Sequence, residues 1–389
     1  MLRPLKFVPS SVFAARLPLL GAATALAAAM LAPHPVSAET FSSSAGPLKV
    51  ERVVGGLSEP WAVAFLPSGG VLITEQRGRL LLVEDGVRRE VAGAPEVRAR
   101  GQGGLLDVTL DPDFEENRTL YLSYSEPAEG GARTAAAKAR LAIEPEPRLE
   151  DLQVIFRQDP VLRGGRHFGS RIVVADDGSL WITTGDRGDR PRAQDPEGHV
   201  GKVIRIAKDG SIPADNPFLD DPIVRDEIWS IGHRNAQGAA KHPETGALWT
   251  VEHGAAGGDE INQPEAGKNY GWPVISYGRH YAGGKIGEGT SKAGLEQPKH
   301  FWDPSIAPSG MTFYTGDLFP EWKGDIFVGA LKYELVSRLD IRDGEVVGEE
   351  RLFADAFGRV RDVRTGPDGA LYFLTDAREG GLYRVSPAE

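Results

Sequence analysis

Four basic side chains and one histidine carry the most distinctive chemistry in this sequence. Arg234 stands in "IGHRNAQG", Lys332 follows "DIFVGAL", and Arg359 and Arg361 stand in "GRVRDV". Guanidinium groups bind carboxylates or phosphates in bidentate fashion, so their convergence would create an anion site. Ion pairing between neighbouring structural elements is the plainer alternative. His167 lies in "GGRHFGSR", just ahead of the strand-like run "RIVVADDGSLWITTGD" that ends in Asp186. An imidazole whose tautomer is fixed by a carboxylate is suited to proton abstraction. A histidine in a glycine-permitted turn, with no chemical task, is the competing reading. Gln102 precedes "LLDVTL" and Asn235 follows Arg234, both at the approach to further strand-like runs. The segment "EHGAAGGDEINQPEAGKNYGWP" combines glycine-exposed carbonyls with Asp259 and Glu260. Such an oxygen-rich loop suits calcium, although a glycine turn with a solvated acidic pair would look the same.

These residues are scattered over the chain, so the elements that carry them must bring them together. A short apolar strand, a Pro/Asp/Gly turn and a second strand recur six times. The six units span 61–83, 105–125, 170–186, 236–254, 309–331 and 360–376. Alternation in "VLITEQ" and "LYFLTD" is strand-like, and "PSGG", "DDGS", "PETG" and "PDGA" are tight-turn sequences. Six similar hairpins separated by long variable inserts predict an all-β, six-bladed β-propeller of four-stranded antiparallel blades. The segment "LKVERVVGGL" is expected to add a strand to the last blade and close the ring. In a propeller, the loops at one end of the channel converge, so Gln102, His167, Arg234, Asn235, Lys332, Arg359 and Arg361 are expected at one mouth. A β-sandwich or β-helix would not explain six such hairpins.

Composition narrows the function classes. The formal net charge is -11, which opposes general nucleic-acid binding and makes any basic cluster a local feature. The chain has no cysteine, so disulfides and thiolate metal sites are excluded. Residues 1–38 read as a secretory signal peptide: Arg3, Lys6 and Arg16, then "LPLLGAATALAAAMLA", then "VSA" before Glu39. Export to the periplasm is expected, with residues 39–389 forming one propeller domain and no stable membrane insertion after cleavage.

The motifs "GQGGLLDVTLDPDF", "HFGSR", "GDRG", "GHRNAQG", "EHGAAGGDEIN", "GKNYGWP" and "RVRDV" resemble those of the soluble quinoprotein glucose and sorbosone dehydrogenases. The bacterial aldose sugar dehydrogenase subgroup is the nearest resemblance, and it covers nearly all of the chain after residue 38. The resemblance implies pyrroloquinoline quinone (PQQ) and calcium as cofactors over the channel mouth. It implies oxidation of an aldose at its anomeric hydroxyl to a lactone, with electrons passing to an external acceptor. His167 is then the general base and Asp186 its orienting partner. Gln102, Arg234, Asn235, Lys332, Arg359 and Arg361 are cofactor contacts, as is His167 itself. The carbonyls of Gly254 and Ala255 are calcium ligands, and Glu260 with the backbone of Tyr270 belongs to a second calcium site. His253 stands where the glucose branch has a glutamine near the cofactor, and Gln194 is assigned a further cofactor contact. Arg166 and Phe168 flank the base where the glucose branch has an acidic residue and a glutamine, which weakens the expectation of glucose preference. The rival expectations are a calcium-dependent lactonase on a similar propeller and a non-enzymatic binding propeller of the cell envelope.

Overall fold

The computed structural model describes residues 39–388; the predicted signal segment lies outside the described residues. Six antiparallel sheets follow one another along the chain, and each hairpin read from the sequence becomes the inner pair of strands of one blade. The innermost strands are Pro60–Phe65, Leu105–Leu110, Ile172–Val174, Ala236–Lys241, Pro308–Phe313 and Val360–Thr365. Each packs against the next around a ring, and the sixth returns to the first. The chain is therefore a six-bladed β-propeller. One helix of four residues, Phe114–Asn117, and two 3-10 turns are the only helical elements among the described residues.

The inner strands are apolar on both faces because a blade is packed between two neighbours. "LWTVE" and "IFVGA" are buried at every position. Six hydrophobic interfaces result, one per pair of blades. Trp61, Leu72 and Leu82 meet Leu106, Leu122 and Ala137 between the first and second blades. Tyr121 and Ala136 meet Ile172, Ile182 and Ile204 between the second and third. Burial of this apolar area drives assembly of the ring. The tight turns behave as their sequences require: Gly178 in "DDGS" and Gly369 in "PDGA" both have positive φ, which costs a glycine little.

Closure is made as expected. Gly46–Leu57 pairs antiparallel with Gly380–Pro387, so the two ends of the described chain share the sixth sheet. A fifth strand, Glu39–Ser43, lies outside it.

The channel itself is bolted by charge. The Arg171 guanidinium donates to Asp107 Oδ1 and Asp362 Oδ1, both at 2.8 Å, and its Nε donates to the Gln237 carbonyl at 2.6 Å. Arg364 contacts the same two carboxylates at 3.2 and 3.0 Å. This cluster ties the second, third, fourth and sixth blades, and the Trp61 ring of the first lies 4.3 Å from the Arg171 guanidinium carbon.

Candidate active site

The loop that leads into the third blade presents His167 with φ of 56°. Its backbone N–H donates to Gln102 Oε1 at 2.7 Å, which fixes the loop to the approach of the second blade. Its Nδ1 lies 2.6 Å from Asp186 Oδ1, and the imidazole is 13% exposed, so its far edge reaches the mouth. Asp186 is wholly buried and accepts two more hydrogen bonds, from Trp272 Nε1 at 2.9 Å and from the Gly188 N–H at 2.7 Å. Burial pushes the Asp186 carboxyl up, but the His167 hydrogen bond, the nearby charges and the Gly188 N–H outweigh it and hold it below the usual range. Asp186 is therefore ionised, Nδ1 carries the proton, and Nε2 presents a lone pair. Burial lowers the His167 pKa and the Arg234 charge adds to this, against the opposing pull of Asp186. The ring is neutral at neutral pH and can accept a proton at Nε2.

Arg234 and Asn235 enter the same mouth from the fourth blade. Their backbone N–H groups both donate to Glu252 Oε2, at 2.5 and 3.3 Å. Arg234 donates through Nη1 to the His253 carbonyl at 3.0 Å, and its guanidinium carbon lies 5.2 Å from the Trp272 ring centroid. Asn235 Oδ1 accepts from the Gly169 N–H at 3.1 Å, which identifies its other side-chain atom as the amide nitrogen. Arg234 Nε, Asn235 Nδ2 and Arg361 Nε are buried and have no hydrogen-bond partner among the described residues. Buried donors are normally matched, so three unmatched ones at one mouth call for acceptors from a ligand.

The sixth blade supplies Arg359 and Arg361. Both pair with Asp376, at 2.9 and 2.8 Å, so the ion-pair alternative is realised for these two. Arg361 also donates to Gln237 Oε1 at 3.0 Å, and the same oxygen lies 3.2 Å from His253 Nε2. Since that oxygen accepts, His253 Nε2 carries a proton and its Nδ1 is a lone-pair donor. Burial first, then the charges of Arg234, His167, Arg361 and Arg359, push the His253 pKa well below its ordinary value. These five groups thus share one electrostatic neighbourhood.

Two further expected contacts have neighbours of their own in the protein. Lys332 is exposed, and its ammonium group lies 4.8 Å from the Tyr333 ring centroid. Gln194 is engaged by Asn269 and by the Trp272 carbonyl: Nε2 donates to both, at 3.0 and 2.8 Å, and Oε1 accepts from Asn269 Nδ2 at 2.7 Å. Gln194 therefore steadies Trp272, which in turn holds Asp186.

Gly254, Glu260 and Tyr270 line one small cavity together with Glu252, His253 and Trp272. Ala255 is buried beside Gly254. The Asp259 carboxylate accepts from the N–H groups of Gly254, Ile306 and Ala307 and from Ser305 Oγ. It fixes the shape of the glycine loop. Glu252 is likewise saturated by His233, Asn262 and the two backbone N–H groups. Glu260 takes one hydrogen bond, from Asn262 at 3.2 Å. Burial, followed by the charge of Glu252, pushes its pKa up to about 8. A carboxylate so disfavoured fits a hard cation as its neighbour.

Sequence reading missed Trp272, Gln237 and Asp376. Trp272 and Gln237 stand inside motifs that drew notice for other members. Asp376 ends the sixth hairpin in "LYFLTD", as Asp186 ends the third in "LWITTGD", and that correspondence was a usable signal.

The fold and site define a six-bladed propeller that presents a carboxylate-braced imidazole beside unmatched arginine and asparagine donors. Comparison with known proteins identifies the family. The family model for glucose/sorbosone dehydrogenase matches residues 57–384, and the chain belongs to that family. The aldose sugar dehydrogenase YliI of Escherichia coli is 46% identical over 346 residues, covering 87% of this chain and 93% of that protein. The crystal structure of the soluble aldose sugar dehydrogenase of Escherichia coli in its apo form superposes with a TM-score of 0.85 at 46% identity, covering 88% of this chain and all of that one. The quinoprotein glucose dehydrogenase B of Acinetobacter calcoaceticus is 28% identical over 352 residues, covering 82% of this chain and 71% of that protein.

Proposed function

We propose that this protein is a PQQ- and calcium-dependent aldose dehydrogenase that oxidises the anomeric hydroxyl of a sugar to a lactone. The observation that carries the reading is the 2.6 Å His167–Asp186 pair facing a mouth where Arg234, Asn235 and Arg361 each keep an unmatched buried donor. PQQ is a planar quinone with three carboxylates, and its acceptor oxygens match those donors in kind. Arg234, Asn235 and Arg361 would hold it, with Gln102, Arg359, Lys332 and His253 around them. The Gly254 and Ala255 carbonyls would ligate a calcium ion beside it, and Glu260 with the Tyr270 backbone a second one. When bound, the quinone supplies a two-electron acceptor for the hydride at the sugar's anomeric carbon.

The chain's own residues do the rest. His167 Nε2 takes the proton of the anomeric hydroxyl. Asp186 keeps the accepting nitrogen unprotonated beforehand and stabilises the imidazolium afterwards. Trp272, steadied by Gln194, and the Gly188 N–H hold Asp186 in place. Burial first, and the Arg234 charge with it, keep His167 neutral and ready at neutral pH. The relatives' names, an aldose sugar dehydrogenase and a quinoprotein glucose dehydrogenase, support the reading. Electrons leave to an external acceptor, and the leader-like sequence of the first 38 residues supports a periplasmic location. No helix of the described residues is long and apolar enough to cross a membrane.

The test is reconstitution. Addition of PQQ and calcium to the purified protein is expected to give stoichiometric quinone binding and dye reduction with aldoses. Absence of quinone-dependent dye reduction with every aldose tried defeats the proposal.

A further inference from the structure

The approach loops of the second and third blades form a second feature beside His167. A pocket of about 440 Å³ is lined by Arg100, Arg163, Arg166 and Arg187, with only glycine backbone between them. Arg98 lies behind it and donates to the Gly131 carbonyl at 2.9 Å. Elsewhere arginines of this acidic chain mostly sit on carboxylates, as Arg140 does on Asp151 and Arg384 on Asp368. None of these five makes such an ion pair among the described residues. Arg187 forms the floor. It is 4% exposed, its guanidinium carbon lies 3.7 Å from the Phe168 ring centroid, and it donates to the carbonyls of Arg166, Ala132 and Gly164. Arg100, Arg163 and Arg166 are exposed at the rim. Like charges gathered without a direct ion-pair partner repel one another; the buried Asp186 carboxylate acts on Arg187 from behind, and an anion in the pocket relieves the repulsion at the rim.

The pocket and the base are one rigid piece. The Gln102 N–H donates to the Gly165 carbonyl at 2.6 Å, and Gln102 Oε1 accepts from the His167 N–H. A β-carbon on Gly101 would lie 2.2 Å from the Gly165 oxygen, so the two loops touch without room for a side chain. Arg166 precedes His167 directly, and its guanidinium packs against Gly188, on the turn that also binds Asp186. A ligand group held in the pocket is thereby fixed relative to Nε2 of the base.

Resting on the dehydrogenase reading above, we infer that this arginine pocket binds the carboxylate or phosphate of an acidic aldose and makes such sugars preferred substrates over neutral ones. Guanidinium forks bind either oxyanion in the same way. The concave shape and the buried arginine floor suit a small anion better than the flat face of an acidic protein.

The experiment compares glucuronate, glucose 6-phosphate and glucose as substrates of the reconstituted holoenzyme, in the wild type and in Arg100→Gln/Arg163→Gln. Calorimetric binding of the same three sugars, and of inorganic phosphate alone, is measured alongside. The ratio of kcat/KM for an acidic sugar to that for glucose is expected above one in the wild type. It should fall at least ~10-fold in the variant, the scale of losing one charge-assisted hydrogen bond. The carboxylate and phosphate arms report which oxyanion is used, and competition by inorganic phosphate places it in the pocket. An unchanged ratio with glucose still oxidised overturns the inference and leaves the dehydrogenase reading intact. If no aldose is oxidised, that reading fails, and calorimetry still decides the pocket: equal binding of acidic and neutral sugars, or binding unaffected by the substitutions, overturns it. A variant that alters only the salt dependence of electron transfer to the acceptor also overturns it, by making the arginines a docking patch.

Discussion

Asp186→Asn tests the braced base most directly, because the substitution keeps the shape and changes the chemistry. Three donors converge on the two carboxylate oxygens: His167 Nδ1 and the Gly188 N–H on Oδ1, and Trp272 Nε1 on Oδ2. An asparagine offers one acceptor oxygen. If that oxygen faces His167 and Gly188, the amide NH2 meets the Trp272 N–H, and a buried donor is left unmatched. If the amide is reversed, NH2 faces His167, moves the ring proton to Nε2 and abolishes the lone pair that should act as base. Losing a charged hydrogen bond to the imidazolium costs about 3 kcal/mol, or ~10²-fold in rate. The tautomer or donor conflict adds about 1–3 kcal/mol, a further ~10- to 10²-fold. The product is a fall in kcat of about 10³ to 10⁴, the range found for the orienting carboxylate of serine-protease triads. The assay is steady-state dye reduction by holoenzyme at saturating PQQ and calcium, with quinone content measured separately. The pH profile adds a readout of sign. Asp186 raises the His167 pKa, so its removal moves the acid limb of kcat/KM to lower pH, away from an already lowered value. A variant that keeps kcat within about tenfold, with its acid limb unmoved, refutes the brace.

Arg361→Ala leaves Asp376 paired with Arg359, so apo-protein stability should change little while PQQ affinity falls at least ~10-fold; a collapse of Tm instead identifies Arg361 as a structural ion-pair partner. Glu260→Gln removes a buried carboxyl that Glu252 disfavours, so the calcium-free Tm should hold or rise. Calcium at 100 times its Kd should then add about 2.7 kcal/mol to the wild type and measurably less to the variant; equal calcium stabilisation by thermal denaturation excludes Glu260 as a ligand. Arg171→Met strips the buried Asp107 and Asp362 of their main partner and should cost about 3–5 kcal/mol in denaturant unfolding. A near-neutral outcome would show that Arg364 alone neutralises both carboxylates.

The ring was legible because each blade's inner hairpin is buried on both faces, which forces runs such as "LWITT" and "IFVGA" into the sequence. The outer strands were not. Val87–Glu90 and Glu345–Leu352 face solvent, alternate little and are mostly exposed, so no apolar period marks them. The same divide holds at the site. His167 and Asp186 could be paired in advance because they flank one hairpin, 19 residues apart. Trp272 completes the brace from 86 residues beyond Asp186, out of a long insert with no local signal of where it returns. The protein partners of Gln194 were hidden for a similar reason: Asn269 and Trp272 are 75 and 78 residues away.

The distribution of arginine partners locates the ligand more firmly than the count of arginines does. Arg171 in the channel has Nε on the Gln237 carbonyl and Nη1 and Nη2 on two carboxylates, so all three nitrogens are matched by protein. Arg234 and Arg361 at the mouth are nearly as enclosed, yet each leaves Nε unmatched, and Asn235 beside them leaves its amide. An unmatched buried donor costs about 1–3 kcal/mol, and the fold tolerates three within one neighbourhood. Asp376 meets Arg361 only at Nη2; had stability alone shaped these positions, protein acceptors for the three unmatched donors would be expected here, as they are for Arg171. Their absence beside a neutral imidazole marks the mouth as a place where an acceptor-rich ligand would be matched. It also implies that ligand binding restores stability that the apo-protein forgoes, so saturating PQQ should raise Tm in the wild type. The rise should shrink as Arg234, Asn235 and Arg361 are replaced singly. Equal PQQ-induced rises across all three variants would show that the unmatched donors do not face the ligand.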